Sequence, residues 1–229
     1  MNGQISVQHG VARRGFLARL GLGLAGLTGV VMTPAGLRAE TLGAGSAQPD
    51  PDAWLAALQG KHRQIFDAPT LGDGKALLQA KNFLDAYRDA YGAKDGEVSV
   101  AVGVHGGAFP LVFRDEVWQR FGFGERFSVS DPATRRPAVR NLFARARPGD
   151  PLPEAATVEA LQQRGVVFLL CNNTLGRTTA ALAGAGFGAA PAVRQELLAG
   201  LLPGVQVVPA MVVALSRAQE KGFSYVYAG

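Results

Sequence analysis

The sequence has one cysteine, few histidines and no apolar run long enough to anchor it in a membrane. A single cysteine, Cys171, among 229 residues rules out an intramolecular disulfide. Together with the scattered histidines His62 and His105 it offers no cluster of metal ligands, so no metal site is expected. The apolar stretch from Leu20 to Met32 is too short to cross a bilayer as a helix and is diluted by glycine. We therefore expect no stable membrane anchor.

The N-terminus has the pattern of a twin-arginine export signal. Arg13 and Arg14 are followed by one spacer residue and then by Phe16-Leu17, and a mildly apolar, small-residue stretch continues to Ala39. Such a segment is removed after export of the folded protein. We expect residues 1–39 to be the signal peptide, the twin-arginine translocase to be a partner during export, and the mature protein to be periplasmic.

Two alternatives remain open at this end of the chain. Cleavage could also follow the small residues Gly45-Ser46-Ala47. The segment could instead be an amphipathic helix of the domain itself, although its glycines would weaken a helix and no acidic residue precedes Glu40.

The basic charge of the whole chain comes largely from this signal. Four of the 23 Lys+Arg residues and none of the 18 Asp+Glu residues lie in residues 1–39. The remainder carries 19 basic and 18 acidic residues, which is nearly neutral. The charge therefore does not indicate a nucleic-acid partner.

Several familiar catalytic and cofactor motifs are missing. The sequence has no Walker A lysine loop and no G-x-S-x-G nucleophile elbow. Gly184 to Ala189 match G-x-G-x-x-A, but they follow a helical stretch and run into Pro191, whereas a dinucleotide fingerprint follows a strand and opens a helix. We expect a turn there and no cofactor. A flavin or other redox cofactor is suggested only by the fold class and the export route.

The mature chain alternates strand-like with helix-like segments, which indicates a parallel sheet covered on both faces. Residues 40–59 are interpreted as a linker and N-terminal extension, and residues 60–229 as one α/β domain. The expected fold is a compact, flavodoxin- or Rossmann-like three-layer sandwich of about five strands. Predicted strands are His62–Ala68, Glu97–Val104, Gly165–Leu170, Val205–Val208 and Phe223–Tyr227. Predicted helices are Gly74–Tyr91, Arg114–Phe121, Glu154–Arg164, Ala210–Lys221 and one from Thr178. Residues 122–153 are predicted to be a loop, with a possible helical turn at Val139–Ala146.

Two predicted strands end abruptly in polar residues, at His105 and at Cys171. Ligands of open parallel sheets sit beyond the carboxyl ends of the strands. If the two strands are neighbours, His105 and Cys171 share one edge of the sheet. Gly106 and Gly107 after His105 indicate a tight turn or a close approach to a ligand, although a histidine bonded to a nearby carbonyl would suit the same pattern.

Cys171 precedes the capping residues Asn172, Asn173 and Thr174, so it is expected at a helix N-terminus. Such a position stabilises a thiolate nucleophile. A buried, inert cysteine is the alternative, and position alone does not separate the two. The candidate catalytic residues are Cys171 and His105, and the candidate substrate-binding residues are Gly106, Asn172, Asn173 and Thr174.

Two stretches resemble the DsrE/DsrF-like family. They are the strand and turn Gly165–Leu175, with its strand-end cysteine, and the segment Leu202–Val226, which runs Pro-Gly-Val, Val-Val-Pro, a helix and Gly-aromatic-x-Tyr. The resemblance spans roughly residues 60–229. It implies a compact α/β fold, assembly as a homotrimer or hexamer, and, as in some members, relay of sulfane sulfur as a persulfide on the residue matching Cys171.

These observations favour an exported sulfur carrier or sulfurtransferase, which would exchange sulfur with a small-molecule or protein donor and acceptor. In this hypothesis Asn173 and Thr174 orient the thiolate and His105 shuttles a proton. The alternative is a non-catalytic oligomeric protein of the periplasm that binds a small ligand or assists another exported protein. The arginine-rich segment 122–153 would then be a partner or anion surface, unless it is an ordinary solvated loop.

Overall fold

The structure is a computed structural model that describes residues 50–94 and 96–229. The predicted signal peptide, residues 1–39, and the first ten residues of the predicted linker lie outside the described residues. None of the described helices is long and apolar enough to span a membrane.

The described residues form a five-stranded, all-parallel sheet with helices on both faces. The strands are β1 (His62–Ala68), β2 (Val98–Val104), β3 (Val167–Cys171), β4 (Gln206–Val208) and β5 (Ser224–Tyr227), in the order β4-β3-β2-β1-β5. The α-helices are α1 (Lys75–Tyr91), α2 (Asp115–Phe121), α3 (Phe123–Arg126), α4 (Val158–Gln163), α5 (Asn172–Gly184), α6 (Ala190–Ala199) and α7 (Met211–Glu220). This confirms the predicted α/β three-layer sandwich.

Alternation along each strand divides the buried side chains between two cores. Phe66, Val102 and Phe168 point to the larger core, which includes α1 and the aromatic residues of segment 106–127. Their strand neighbours Ile65 and Leu169 point to a smaller core under α7. Because both faces of the sheet are covered, β2 and β3 are apolar almost throughout, as is typical of parallel strands.

The smaller core extends further toward the N-terminus than the sequence indicates. A short 3-10 helix, Ala53–Ala57, lies within the predicted extension 40–59. Trp54 and Leu58 on this segment are 1% and 2% exposed and pack into the α7-side core. Residues 53–58 are therefore part of the domain, since each buried aromatic contributes a large apolar surface to it.

Two predictions about helices are wrong. Helix α5 begins at Asn172, directly after the strand, rather than at Thr178. Helix α6 follows the glycine-rich turn 184–189 and was not predicted at all, although Pro191 in its first turn is a common helix start. At 139–146 the backbone forms turns without a helix.

Segment 122–153 is held by an internal charge cluster rather than being a solvated arginine surface throughout. Arg140 is 13% exposed and donates to both carboxylate oxygens of Asp150, at 2.9 and 2.5 Å, and Asp150 is 1% exposed. Arg140 also lies 3.5 Å from Asp131. The hydrogen bond from Arg140, with a further one from the Arg147 amide, holds the pKa of Asp150 below its usual value despite its burial.

Candidate functional site at the carboxyl edge of the sheet

The order in which successive strands join the sheet reverses at β1. Strands β1 to β4 are added toward one side, and β5 is added on the other side of β1. Crevices beyond the carboxyl ends of strands at such a switch point are the usual ligand sites of open parallel sheets. We call this end of the sheet the carboxyl edge.

The structure places His105 and Cys171 on neighbouring strands at the carboxyl edge. β2 pairs with β3, and the last paired positions are Val104 and Leu170. His105 and Cys171 each come one residue later. The adjacency on which the predicted site depends is thus confirmed.

Cys171 lies where two helices begin. It is the N-cap residue of α5, and its sulfur accepts a hydrogen bond from the backbone N–H of Met211, the first residue of α7, at 3.3 Å. Helix N-termini present unpaired N–H groups and a partial positive charge. The Cys171 sulfur therefore faces an N–H donor at a helix start. The residue is 5% exposed, so the thiol is partly enclosed.

Met211 covers the sheet next to Cys171 because β2 carries a glycine there. A Cβ atom at Gly103 would lie 2.5 Å from the Met211 sulfur, which is too close for any stable contact. Gly103 therefore makes the space in which the Met211 side chain sits. The backbone N–H of the same residue contacts Cys171.

Gly103→Ala is expected to lower the free energy of unfolding by about 1–3 kcal/mol, because the added methyl group collides with the buried Met211 side chain. Urea denaturation measures the change. Gly176→Ala on α5 is the matched control: a Cβ there meets nothing within 4 Å, and alanine favours a helix. A Gly103→Ala variant as stable as Gly176→Ala would contradict the assigned role of Gly103.

His105 is held by a carboxylate that sequence reasoning overlooked. Its Nε2 lies 2.7 Å from Oδ1 of Asp67, which is 7% exposed and ends the apolar part of β1. Oδ2 of Asp67 accepts a hydrogen bond from the hydroxyl of Tyr225 on β5, at 2.9 Å. Three adjacent strands thus supply a phenol, a carboxylate and an imidazole in one row.

The hydroxyl of Tyr225 stays protonated at neutral pH. Burial raises its pKa above the usual value, and the hydrogen bond to Asp67 and the negative charge of that carboxylate raise it further. Tyr225 therefore acts as a donor that satisfies the second oxygen of Asp67. A buried carboxylate needs such partners.

The predicted substrate-binding residues divide into two groups. Thr174 is 4% exposed, and its hydroxyl accepts a hydrogen bond from the Gly106 amide at 3.3 Å, which ties α5 to the loop after β2. Asn172 instead accepts from Arg194 on α6, at 2.6 Å, and Asn173 is exposed. The contact with the Cys171 sulfur comes from Met211, so the predicted orienting role of Asn173 and Thr174 at the sulfur is not seen.

Asp67, Tyr225 and Met211 are the residues that the sequence did not single out. A signal for Asp67 was present, since it is an acidic residue near the carboxyl end of a predicted strand, directly after Ile65 and Phe66. Tyr225 and Met211 carry no comparable signal. Both come from elements more than a hundred residues from Asp67 in the chain and reach the site only through the strand order.

A cleft of about 620 Å³ lies beyond the ends of β1 and β2, on the side of segment 122–153. The cleft is lined by residues of the loop after β1, by Gly107 from the loop after β2, and by several aromatic and hydroxyl side chains. These lining residues include Thr70, Asp73, Phe127, Ser128, Ser130 and Phe143. The cleft is large enough for a small molecule. Within the described part of the chain, no group of three or more His, Cys, Asp or Glu could hold a metal ion.

Comparisons with known proteins identify no family for this chain. No protein-family model matches the chain, and no curated protein matches it. Among solved structures it is similar to the protein of unknown function MTH1491 from Methanobacterium thermoautotrophicum, with 19% identity and a TM-score of 0.37. That match covers 72% of this chain and 98% of the other.

Proposed function

We propose that the chain is an exported DsrE-like protein that carries sulfane sulfur as a persulfide on Cys171. The observation that carries the proposal is the hydrogen bond from the Met211 N–H, at the start of α7, to the Cys171 sulfur. Cys171 ends β3, and His105 directly follows β2, the neighbouring strand. A thiolate is the form of cysteine that attacks sulfur. The Met211 N–H supplies a hydrogen-bond donor to the attacking sulfur.

The proposed chemistry needs one cysteine and no resolving partner. The Cys171 thiolate attacks the outer sulfur of a donor, a new S–S bond forms at Cys171, and the S–S bond of the donor breaks with its electron pair on the leaving group. An acceptor thiol later takes the outer sulfur by the same exchange. The sulfur atoms balance without an external oxidant.

The enclosure of Cys171 restricts the shape of the donor at its reacting atom. Because the residue is only 5% exposed, we expect the native thiol to react with reagents whose reacting sulfur stands at a narrow end, such as methyl methanethiosulfonate, and to resist maleimides, whose reacting carbon lies in a ring. Mass spectrometry of the native and the urea-unfolded protein measures both reactions. A thiol that no reagent reaches until the protein unfolds would identify Cys171 as a structural cysteine.

The direct test is intact-mass spectrometry of the mature protein after brief exposure to thiosulfate, polysulfide or glutathione persulfide. We expect a gain of about 32 Da per added sulfur, reversed by a thiol reductant. No gain with any of these donors would remove sulfur relay as the function.

Export and assembly belong to the same proposal. The twin-arginine pattern at Arg13-Arg14 supports delivery to the periplasm, which fractionation of cells expressing the full chain would test. The resemblance to the DsrE/DsrF-like family implies a homotrimer or hexamer, and Val212 and Val213 on α7, 74% and 50% exposed, are apolar residues that such an assembly would cover. Light scattering of the purified protein measures the assembly.

The cleft beyond β1 and β2 favours a second candidate, a small-ligand-binding accessory protein. The residues that line this cleft include Gly107 and do not include Cys171. In that case replacement of Cys171 leaves the protein's role in the cell intact, whereas a sulfur carrier loses it.

A further inference from the structure

The Asp67–His105 contact decides which atom of the imidazole is available to a reacting molecule. Nε2 of His105 lies 2.7 Å from Asp67. Among residues 50–94 and 96–229, Nδ1 has no hydrogen-bond partner. The side chain of His105 is 28% exposed, so part of the imidazole reaches the surface at the carboxyl edge. The carboxylate holds the ring in this orientation.

Cys171 and His105 lie on the same side of the sheet at its carboxyl edge. Both side chains lie on the α7 side of the sheet, because Cys171 packs in the core beneath α7 and His105 bonds to Asp67, which alternates with Ile65 of that same core. Adjacent parallel strands lie about 4.8 Å apart. A donor molecule at Cys171 therefore comes within reach of the imidazole.

We propose, on the basis of the function proposed above, that Asp67 and Tyr225 are positioning residues that present His105 Nδ1 to an organic persulfide donor. The proton of the Cys171 thiol passes to Nδ1. The thiolate then attacks the outer sulfur of R–S–SH, giving Cys171–S–SH, and the R–S⁻ that leaves takes the proton from Nδ1. The net reaction converts one thiol and one persulfide into another such pair.

The choice of donor separates this role from a structural one. A thiolate that leaves from glutathione persulfide needs the proton, whereas the sulfite that leaves from thiosulfate is stable as an anion. A positioned acid therefore accelerates the first reaction more than the second. A general loss of structure slows both alike.

The experiment compares loading rates with the two donors, by time-resolved intact mass, in wild type and in Asp67→Asn, Tyr225→Phe and Tyr227→Phe. Asp67→Asn is expected to slow loading from glutathione persulfide by about 10- to 100-fold and to affect thiosulfate much less. Tyr225→Phe, which loses only the hydrogen bond to Asp67, follows the same pattern with a smaller loss. Tyr227→Phe, on the same strand and 58% exposed, serves as the control with unchanged rates.

The outcomes distinguish this inference from the function on which it rests. Equal slowing with both donors, or unchanged rates in Asp67→Asn and Tyr225→Phe, overturns the positioning role while wild-type loading upholds the sulfur carrier. Absence of loading in wild type overturns both. Imidazole ¹⁵N NMR checks the geometry independently: we expect a proton on Nε2 of His105, and a ring protonated only on Nδ1 contradicts the assignment.

Discussion

Cys171→Ser is expected to lose the entire gain of about 32 Da seen after exposure to sulfane donors. A serine hydroxyl has nearly the same shape, but it is not ionised at neutral pH and forms no persulfide. The side chain is buried on the α7 side of the sheet and accepts the Met211 N–H, an acceptor role that an oxygen can also fill. The variant should therefore stay folded while it loses the chemistry.

The matched control is wild-type protein whose thiol has been blocked with methyl methanethiosulfonate before the donor is added. It too should show no gain, and a thiol reductant should restore loading. A gain that persists in Cys171→Ser would show that the added sulfur is not carried by this residue. The sulfur-carrier proposal would then fail, since Cys171 is the chain's one cysteine.

Arg140→Ala is expected to lower the free energy of unfolding by about 3–5 kcal/mol, because it leaves the carboxylate of Asp150 buried without its cation. Asp150 is 1% exposed and receives hydrogen bonds from Arg140 through both of its oxygens. Loss of the pair should loosen segment 122–153. Urea denaturation at neutral pH measures the effect.

The same pair gives wild-type stability a defined dependence on pH. Since the folded-state pKa of Asp150 lies below its unfolded value, its contribution is complete above the unfolded value of about 3.9 and is lost as the pH falls through the folded pKa. Arg140→Ala should lack this contribution. Arg145→Ala is the control, because Arg145 is 74% exposed and its pair with Glu159 contributes at most about 1 kcal/mol. Equal effects of the two substitutions would contradict the buried-pair account.

Much of the fold follows from local patterns. The β-branched run that became β2 and the apolar run that became β3 predicted parallel strands, because only strands covered on both faces are apolar throughout. The spacing of Leu77 and Leu84 predicted α1, since both fall on the buried face of that helix. Helix α6 was not predicted, because the glycine-rich residues 184–189 before it suggested a longer turn.

Local sequence features are enough to identify the candidate nucleophile and its position at the end of a strand. Cys171 ends an apolar strand and is followed by capping residues, and those features depend only on neighbours in the chain. His105 was found in the same way, from a β-branched strand that ends in His-Gly-Gly.

The groups that surround these two residues depend on how distant parts of the chain pack together. The strand order β4-β3-β2-β1-β5 brings Asp67 and Tyr225 to His105 and sets the start of α7 over Cys171. Strand order depends on how distant segments bury their apolar faces together, and local periodicity carries no information about that pairing. The sequence therefore identified the thiol and the imidazole, whereas the fold supplied the carboxylate, the phenol and the helix N–H that act on them.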